Sequence, residues 1–383
     1  MTLEELQSNE ELRNHEFPIT REKTYLAHAA VCPLPRRVSE AISNYAIGSS
    51  AIQQEAVMAP GWLTETRQLA AKFLGVKMEE VAFVGPTSNA LSMFAAGLSF
   101  KRNQNILIYG DDYPSNVYPW MKLAERGVQV RYLNIRELGI IRARDVIGQV
   151  DENTRLVAIS SCHFLSGYRA EIDEIGKYLR KRGVLLSVDA IQTLGAFETP
   201  LANVDFAAAD AHKWLLGPCA AGLMYVRHDV QERVEPTAFG WHNVRTPNFV
   251  TQEEINYKPD ARRYEAGTHN LLGIVGIRAA LELLLEVDLE LIGRELARKR
   301  AWLVPELEGK GYTVLNAKAS PANASGIVSF FKAGADMGEL HGLLERHNVI
   351  TNLRVDREGQ KYIRVSPHFY NTDTELRRVL ELL

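Results

Sequence analysis

The stretch VLLSVDAIQTLGAFETPLANVDFAAADAHKWLLGP, residues 184–218, decides the fold. Two of its runs, VLLSVD and VDFAAAD, have almost no polar alternation, and each ends on an aspartate, Asp189 and Asp210. A strand that is apolar on both sides is buried on both faces, the condition of a parallel sheet covered by helices. Similar runs recur at 81–85, 105–110, 128–133, 156–161 and 221–227, with amphipathic helical stretches between them. The chain therefore reads as α/β, with a large domain built on a mainly parallel seven-stranded sheet flanked by helices. After about residue 270 the rhythm changes. Long helical patterns lead to GIVSFF and YIRVSP, short strands on either side of the helical MGELHGLLERH, and a smaller C-terminal α/β domain is expected. The expected division is an N-terminal segment 1–24 packing on the small domain, a large domain 25–265 and a small domain 266–383.

Composition narrows the function classes. With 46% hydrophobic and 24% charged residues over 383 positions, the chain can bury a sizeable core. A net charge of -3 without long like-sign blocks lacks the basic footprint of a nucleic-acid or anionic-membrane binder, so small molecules are the expected partners. The opening MTLEELQSNEELRNHEFP has neither the basic start nor the apolar run of a secretory signal. No apolar stretch approaches the ~20 residues of a bilayer span, and a cytoplasmic protein is expected. Three widely spaced cysteines, Cys32, Cys162 and Cys219, suit free thiols better than a disulfide framework or a zinc site. His341 and His347 do not have the i, i+4 spacing that puts two ligands on one helical face, so no metal is expected. Gly217 and Gly222 have the spacing of a phosphate loop, but Leu223 and Met224 stand where its Lys and Ser/Thr would be.

In a parallel sheet, functional groups gather at the carboxyl ends of the strands. Asp189 and Lys213 both stand where expected strands finish, with enough chain between them for a connection and one further strand. A lysine becomes a Schiff-base nucleophile only if its pKa falls well below about 10.4. The neighbouring His212 and the apolar Trp214, Leu215 and Leu216 suit that requirement. A carboxylate such as Asp189 can keep a pyridine nitrogen protonated, which makes the ring an electron sink. In GPTSNALSMFAAGL, Thr87 and Ser88 stand where a strand turns into a helix. A helix start favours a phosphate, although a Ser or Thr there also serves as a cap.

Two strings, D-A-x-Q-x-x-G at 189–195 and D-A-H-K-W-L-L-G-P-x-A-x-G at 210–222, carry a resemblance that extends from YLAHAAVCPLP at residue 25 to SPHFYNT at residue 372. They resemble the class V aminotransferase family of fold-type I pyridoxal-5′-phosphate (PLP) enzymes, which includes cysteine desulfurases, kynureninases and isopenicillin-N-epimerase-like proteins. The resemblance implies PLP held by Lys213 as a Schiff base, with the same lysine shuttling the Cα proton. It implies Asp189 at the pyridine nitrogen, Gln192 near the phenolic oxygen, and His212 with Thr87 and Ser88 at the phosphate. Tyr113, in DDYPSNVYPW, takes the place of an aromatic stacked on the cofactor ring. His163, in SSCHFLSGYR, stands where relatives carry Asn or Gln beside the cofactor oxygen; a structural histidine is the other reading. The run RRYEAGTHN resembles a segment whose threonine, here Thr268, reaches the phosphate of the neighbouring subunit, which implies a homodimer with shared active sites.

Two arginines compete for the carboxylate of an amino-acid substrate, whose shape matches a guanidinium fork. Arg364 in YIRVSPHFYNT matches kynureninase-like and aminotransferase relatives and is preferred; Arg354 in ITNLRVD lies nearer the desulfurase position. Aminotransferase-like or C–S/C–N lyase chemistry ranks first, amino-acid epimerisation second, and desulfuration or selenocysteine cleavage third. Desulfurases use a mobile cysteine in the C-terminal loop, and no cysteine follows Cys219 here. Substrate choice is expected to lie in loop residues around 28–31 and 239–250. From a different class, a catalytically idle binding subunit of the same fold would have no physical need of Lys213, Asp189, Gln192 and Thr87 together.

Overall fold

The computed structural model describes residues 1–383. Its strands in chain order are β1 (Thr24–Tyr25), β2 (Val81–Val84), β3 (Asn105–Ile108), β4 (Gln129–Tyr132), β5 (Thr154–Ser160), β6 (Leu185–Asp189) and β7 (Phe206–Asp210). They continue as β8 (Gly222–Val226), β9 (Thr313–Val314), β10 (Val328–Phe331), β11 (Val349–Ile350), β12 (Asn352–Val355) and β13 (Lys361–Val365). Seven of them form one sheet in the order β2-β8-β7-β6-β5-β3-β4. Neighbours from β7 to β4 pair in parallel, while β8 is antiparallel to both β7 and β2. The seven apolar runs are therefore the seven strands of a mainly parallel sheet, as expected.

Burial explains why those runs lack polar alternation. Leu107, Val157, Ile159, Leu186 and Val188 pack on one face against helices Trp62–Leu74, Ile172–Lys181 and Leu271–Val287. Ile106, Ile108, Leu156, Ala158 and Leu185 pack on the other against Trp120 and helix Thr87–Gly97. Each fully buried Val, Leu or Ile contributes roughly 1.5–3 kcal/mol, so both faces of every central strand reward an apolar residue. Helix Ile172–Lys181 shows the complementary pattern: Ile172, Ile175 and Leu179 make its buried stripe. Asp173 and Glu174 in its first turn and Arg180 and Lys181 in its last oppose the helix dipole.

A second sheet, in the order β12-β13-β10-β9, is antiparallel throughout. Its core of Leu303, Leu307, Phe330, Ile363 and Leu376 comes from β10, β13 and helices Leu289–Gly309 and Asp373–Leu382. Strands β9 and β12 were not expected: the first is two residues long, and the second is half-exposed, so neither has an apolar run. The N-terminal segment joins through β1, which pairs in parallel with β11, and through Gln7, which donates to Glu295 at 2.7 Å. Helix Leu271–Val287, on the far side of residue 265, packs against helices Arg36–Gly48 and Trp62–Leu74. No helix is long and apolar enough to cross a membrane.

Candidate active site

Register brings the carboxyl ends of the central strands to one level. Ser160 at the end of β5 pairs with Asp189 at the end of β6, and Asp189 with Ala208 near the end of β7. A cavity of about 260 Å³ opens there, lined by Thr87, Ser88, Tyr113, Asp189, Gln192, His212, Lys213, Arg354 and Arg364 among others. Nine of the eleven expected site residues thus meet in one place.

The turn carrying Lys213 is closed by Asp210, whose buried carboxylate accepts from the backbone N–H groups of Ala211 (2.7 Å), Ala220 (3.2 Å) and Ala221 (3.2 Å). Gly217 donates to the Ala211 carbonyl at 2.9 Å, and a Cβ on it would stand 2.6 Å from the Ala211 methyl. Leu216 completes the turn at φ 57°, a left-handed conformation uncommon outside glycine. So constrained, Lys213 is buried with its Nζ 5.4 Å from the centre of the Tyr113 ring. Burial pulls its ammonium down to about 8, against the attraction of Asp189 and with the help of Arg364 and Arg354.

Asp189 answers it from the end of β6. One of its oxygens accepts from Ile191 N–H at 3.0 Å. Burial pushes its carboxyl up to about 7; the Ile191 N–H opposes this, the Asp112 carboxylate adds to it and Lys213 works against it. Asp112, absent from the sequence expectations, is held by Ser160 N–H (3.0 Å), Ser160 Oγ (2.6 Å) and Asn116 Nδ2 (2.9 Å), and it accepts from Tyr113 N–H at 2.7 Å. The only signal for it was the polar string DDYPSN, with Asn116 four residues on.

At the phosphate-suited end, helix Thr87–Gly97 begins after Pro86 with no side-chain cap. Capping is therefore not what Thr87 and Ser88 do. The Thr87 hydroxyl accepts from Asp210 N–H at 2.8 Å, which ties the helix start to the Lys213 turn, and Ser88 Oγ donates to Ser115 Oγ at 2.8 Å. His212 stands beside them with Nδ1 3.0 Å from Asp210. The uncapped start, the buried Asp189 carboxylate, a lysine whose ammonium is pulled down by burial and the Tyr113 face fit the phosphate, pyridine nitrogen, aldehyde and ring of PLP.

The opposite wall comes from the second sheet. Arg364 pairs with Asn352, which puts Arg354 on the same face of β12 as its diagonal neighbour. Arg364 is 1% exposed and donates to the Phe164 carbonyl (2.7 Å) and Asn352 Oδ1 (2.9 Å), both neutral. Neither arginine has an ion-pair partner, and the Nε of each is buried without an acceptor. Burial, with Arg354 beside it, pulls Arg364 down to about 9. A wall of uncompensated guanidinium charge calls for an anion.

Two expected residues are not brought here. His163 lines an adjoining cavity of about 710 Å³ instead. Its Nδ1 accepts from Ser166 N–H at 3.1 Å, so the neutral ring carries its proton on Nε2, which donates to the Asp111 carbonyl at 3.0 Å. Gly139 makes room for that ring, since a Cβ there would overlap it. Both ring nitrogens of His163 thus have partners within the chain. Thr268 is exposed and lies in separate clefts beside Trp62, Trp241 and His269. Nearby Glu265 is bound by Arg67 and by Phe83 N–H and His269, so its oxygens are already taken.

A family model, Aminotransferase class-V, matches residues 24–379. A probable cysteine desulfurase of Methanothermobacter thermautotrophicus is 28% identical over 390 residues, covering 96% of each chain. Among solved structures, the apo cysteine desulfurase of Thermococcus onnurineus NA1 superposes with a TM-score of 0.87 at 24% identity, covering 98% of this chain and 96% of that one. The cystine C–S lyase C-DES, in complex with its product cysteine persulfide, does so with a TM-score of 0.83 at 21% identity, covering 95% and 98%. With the match running over nearly its whole length, this chain belongs to the class V aminotransferase family and is a PLP-dependent transferase or lyase of fold type I.

Proposed function

We propose that this enzyme is a C–S lyase that acts on a sulfur-bearing amino acid by elimination, without a thiol of its own. The carrying observation is what occupies the turn between β12 and β13. The family's desulfurases need a cysteine in this C-terminal loop; here the turn holds Arg357, which pairs with Asp111 at 2.5 Å and donates to the Gly110 carbonyl at 2.8 Å. No cysteine follows Cys219. Cys32 and Cys162 are buried, and burial pushes both thiols up, Cys162 to about 11. Cys219 is exposed but does not line the cavity. A thiolate positioned to take sulfur from the substrate is therefore missing, while the names of the relatives, cysteine desulfurase and cystine C–S lyase, share the breaking of a carbon–sulfur bond.

In this reading Lys213 would hold the cofactor covalently, and its Nζ would take the Cα proton of the substrate. Its lowered pKa supports both tasks. Asp189 keeps the pyridine nitrogen protonated, and Gln192 donates toward the phenolic oxygen. Thr87, Ser88, His212 and the helix start hold the phosphate, while Tyr113 covers the ring. Arg364, with Arg354 behind it, grips the α-carboxylate. Bound PLP supplies the electron sink for charge left on Cα. The Cβ–S bond then breaks, sulfur leaves on the substrate's own fragment as a thiol or persulfide, and water completes the products pyruvate and ammonia. Thr268, exposed on this chain, serves the phosphate of a second copy, so the working form is a homodimer.

The test is product analysis. Holoenzyme given cystine or an S-alkyl cysteine should release pyruvate, ammonia and a sulfur product in equal amounts. Alanine plus enzyme-bound persulfide would instead mean desulfuration, and keto-acid-dependent amino transfer without pyruvate would mean an aminotransferase. Protein that remains colourless with PLP would favour the idle binding subunit.

A further inference from the structure

Gln192 and Trp214 are both buried, and their side chains are bonded to each other: Trp214 Nε1 donates to Gln192 Oε1 at 2.8 Å. On its other side Gln192 Nε2 donates to the Ala29 carbonyl at 3.1 Å. An indole N–H can only donate and a carbonyl can only accept, so these two partners fix which way the amide points without reference to anything in the cavity. One N–H of Gln192 remains, and Gln192 lines the cavity. What it offers there is a donor.

Trp214 is itself held on three sides. Its carbonyl accepts from His368 Nε2 at 3.0 Å, while His368 Nδ1 accepts from Phe369 N–H at 2.9 Å, which assigns that ring's proton to Nε2. Gly195, at φ +93°, passes so close that a Cβ would stand 2.2 Å from the Trp214 carbonyl oxygen. At the far edge of the indole, Gly326 leaves room where a Cβ would come to 3.1 Å of Cη2. The adjacency of Trp214 to Lys213 in sequence thus places the two on opposite duties: the lysine faces the cavity and the tryptophan faces the residue behind it.

We infer that Trp214 is a positioning residue that locks Gln192 as a hydrogen-bond donor to the ionised phenolic oxygen of PLP. The inference rests on the reading that this cavity holds PLP. A donor aimed at that oxygen favours its anionic form and so lowers the pH at which the bound chromophore loses its proton and changes colour. Without the indole N–H, Gln192 Oε1 is left buried and unpaired, only the Ala29 carbonyl still holds the amide, and the donor toward the phenolate is less firmly aimed.

The test uses holoenzyme and reads the midpoint of that colour change against pH. Trp214→Phe should raise it by about 0.5–1 unit, the equivalent of one neutral hydrogen bond. Placing 3-benzothienylalanine at 214, which exchanges the N–H for sulfur within the same ring shape, should do the same and guards against a packing defect in the phenylalanine variant. In a Gln192→Ala background neither change at 214 should move the midpoint further, because the route runs through Gln192. An unmoved midpoint in both variants, or an equal shift when Gln192 is already gone, overturns the inference. A wild-type protein that takes up no colour with PLP overturns the cofactor reading first, and this inference with it.

Discussion

The two ends of the cavity are built on different terms. At the end formed by the parallel sheet, the anchoring groups already have partners within the chain: Asp210 accepts three backbone N–H groups, Thr87 is tied to Asp210, and Asp189 accepts from Ile191. At the end formed by the antiparallel sheet, two guanidinium groups share a face with no carboxylate opposite and an unpartnered Nε each. A hydrogen-bond set closed within the chain stands without a ligand and suits a resident group. Unpaired buried charge is costly, and it is tolerable where a transient anion relieves it during each turnover.

The contrast can be broken from either side. Lys213→Ala should remove turnover by on the order of 10³-fold or more and leave no peptide that borohydride can link to the cofactor. Survival of both would remove the basis for calling the sheet end a cofactor seat. Next in size, Arg364→Ala should lower kcat/KM about 10²-fold, roughly 3 kcal/mol for losing a buried charge partner, mostly through KM. Arg354→Ala, half-buried, should cost about tenfold. The reverse ranking would hand the carboxylate to Arg354. A tenfold effect is also expected from pH alone. Only the neutral amine captures the aldehyde, and Lys213 is pulled down to about 8, so cofactor uptake by the stripped protein should rise about tenfold from pH 7 to pH 9 and then level off. An uptake rate still climbing steeply above pH 10 would show a lysine with its ordinary value.

The sheet end was the legible one. Burial on both faces writes itself into a strand as an unbroken apolar run, so β5, β6 and β7 and the residues at their ends could be found without knowing any contact. The arginine end was legible in residue type but not in arrangement. Strand β12 is short and half-exposed, and only its register with β13 puts Arg354 beside Arg364. His163 shows a different limit: its direction depends on the space left by Gly139 and on Ser166 N–H, which no local pattern around Cys162 announces. Trp214 read as mere apolar surroundings for Lys213, because a single indole N–H has no periodic signature.

The smallest expected effect tests whether the arginine end belongs to the sheet or to the turn beyond it. Arg357 joins the β12–β13 turn to the loop after β3 through Asp111 and the Gly110 carbonyl, at the rim of the larger cavity. Its side chain is 68% exposed, so water screens the pair and its contribution to stability should not exceed about 1 kcal/mol, falling further in salt. If register alone holds Arg354 and Arg364 in place, Arg357→Ala should leave kcat/KM within about threefold and melt only slightly earlier at low salt. A loss matching that of Arg354→Ala would mean that the turn clamps the substrate end shut. The unpaired charge on β12 and β13 would then be completed by a moving part, and the division between a finished end and a waiting one would have to be redrawn at the turn.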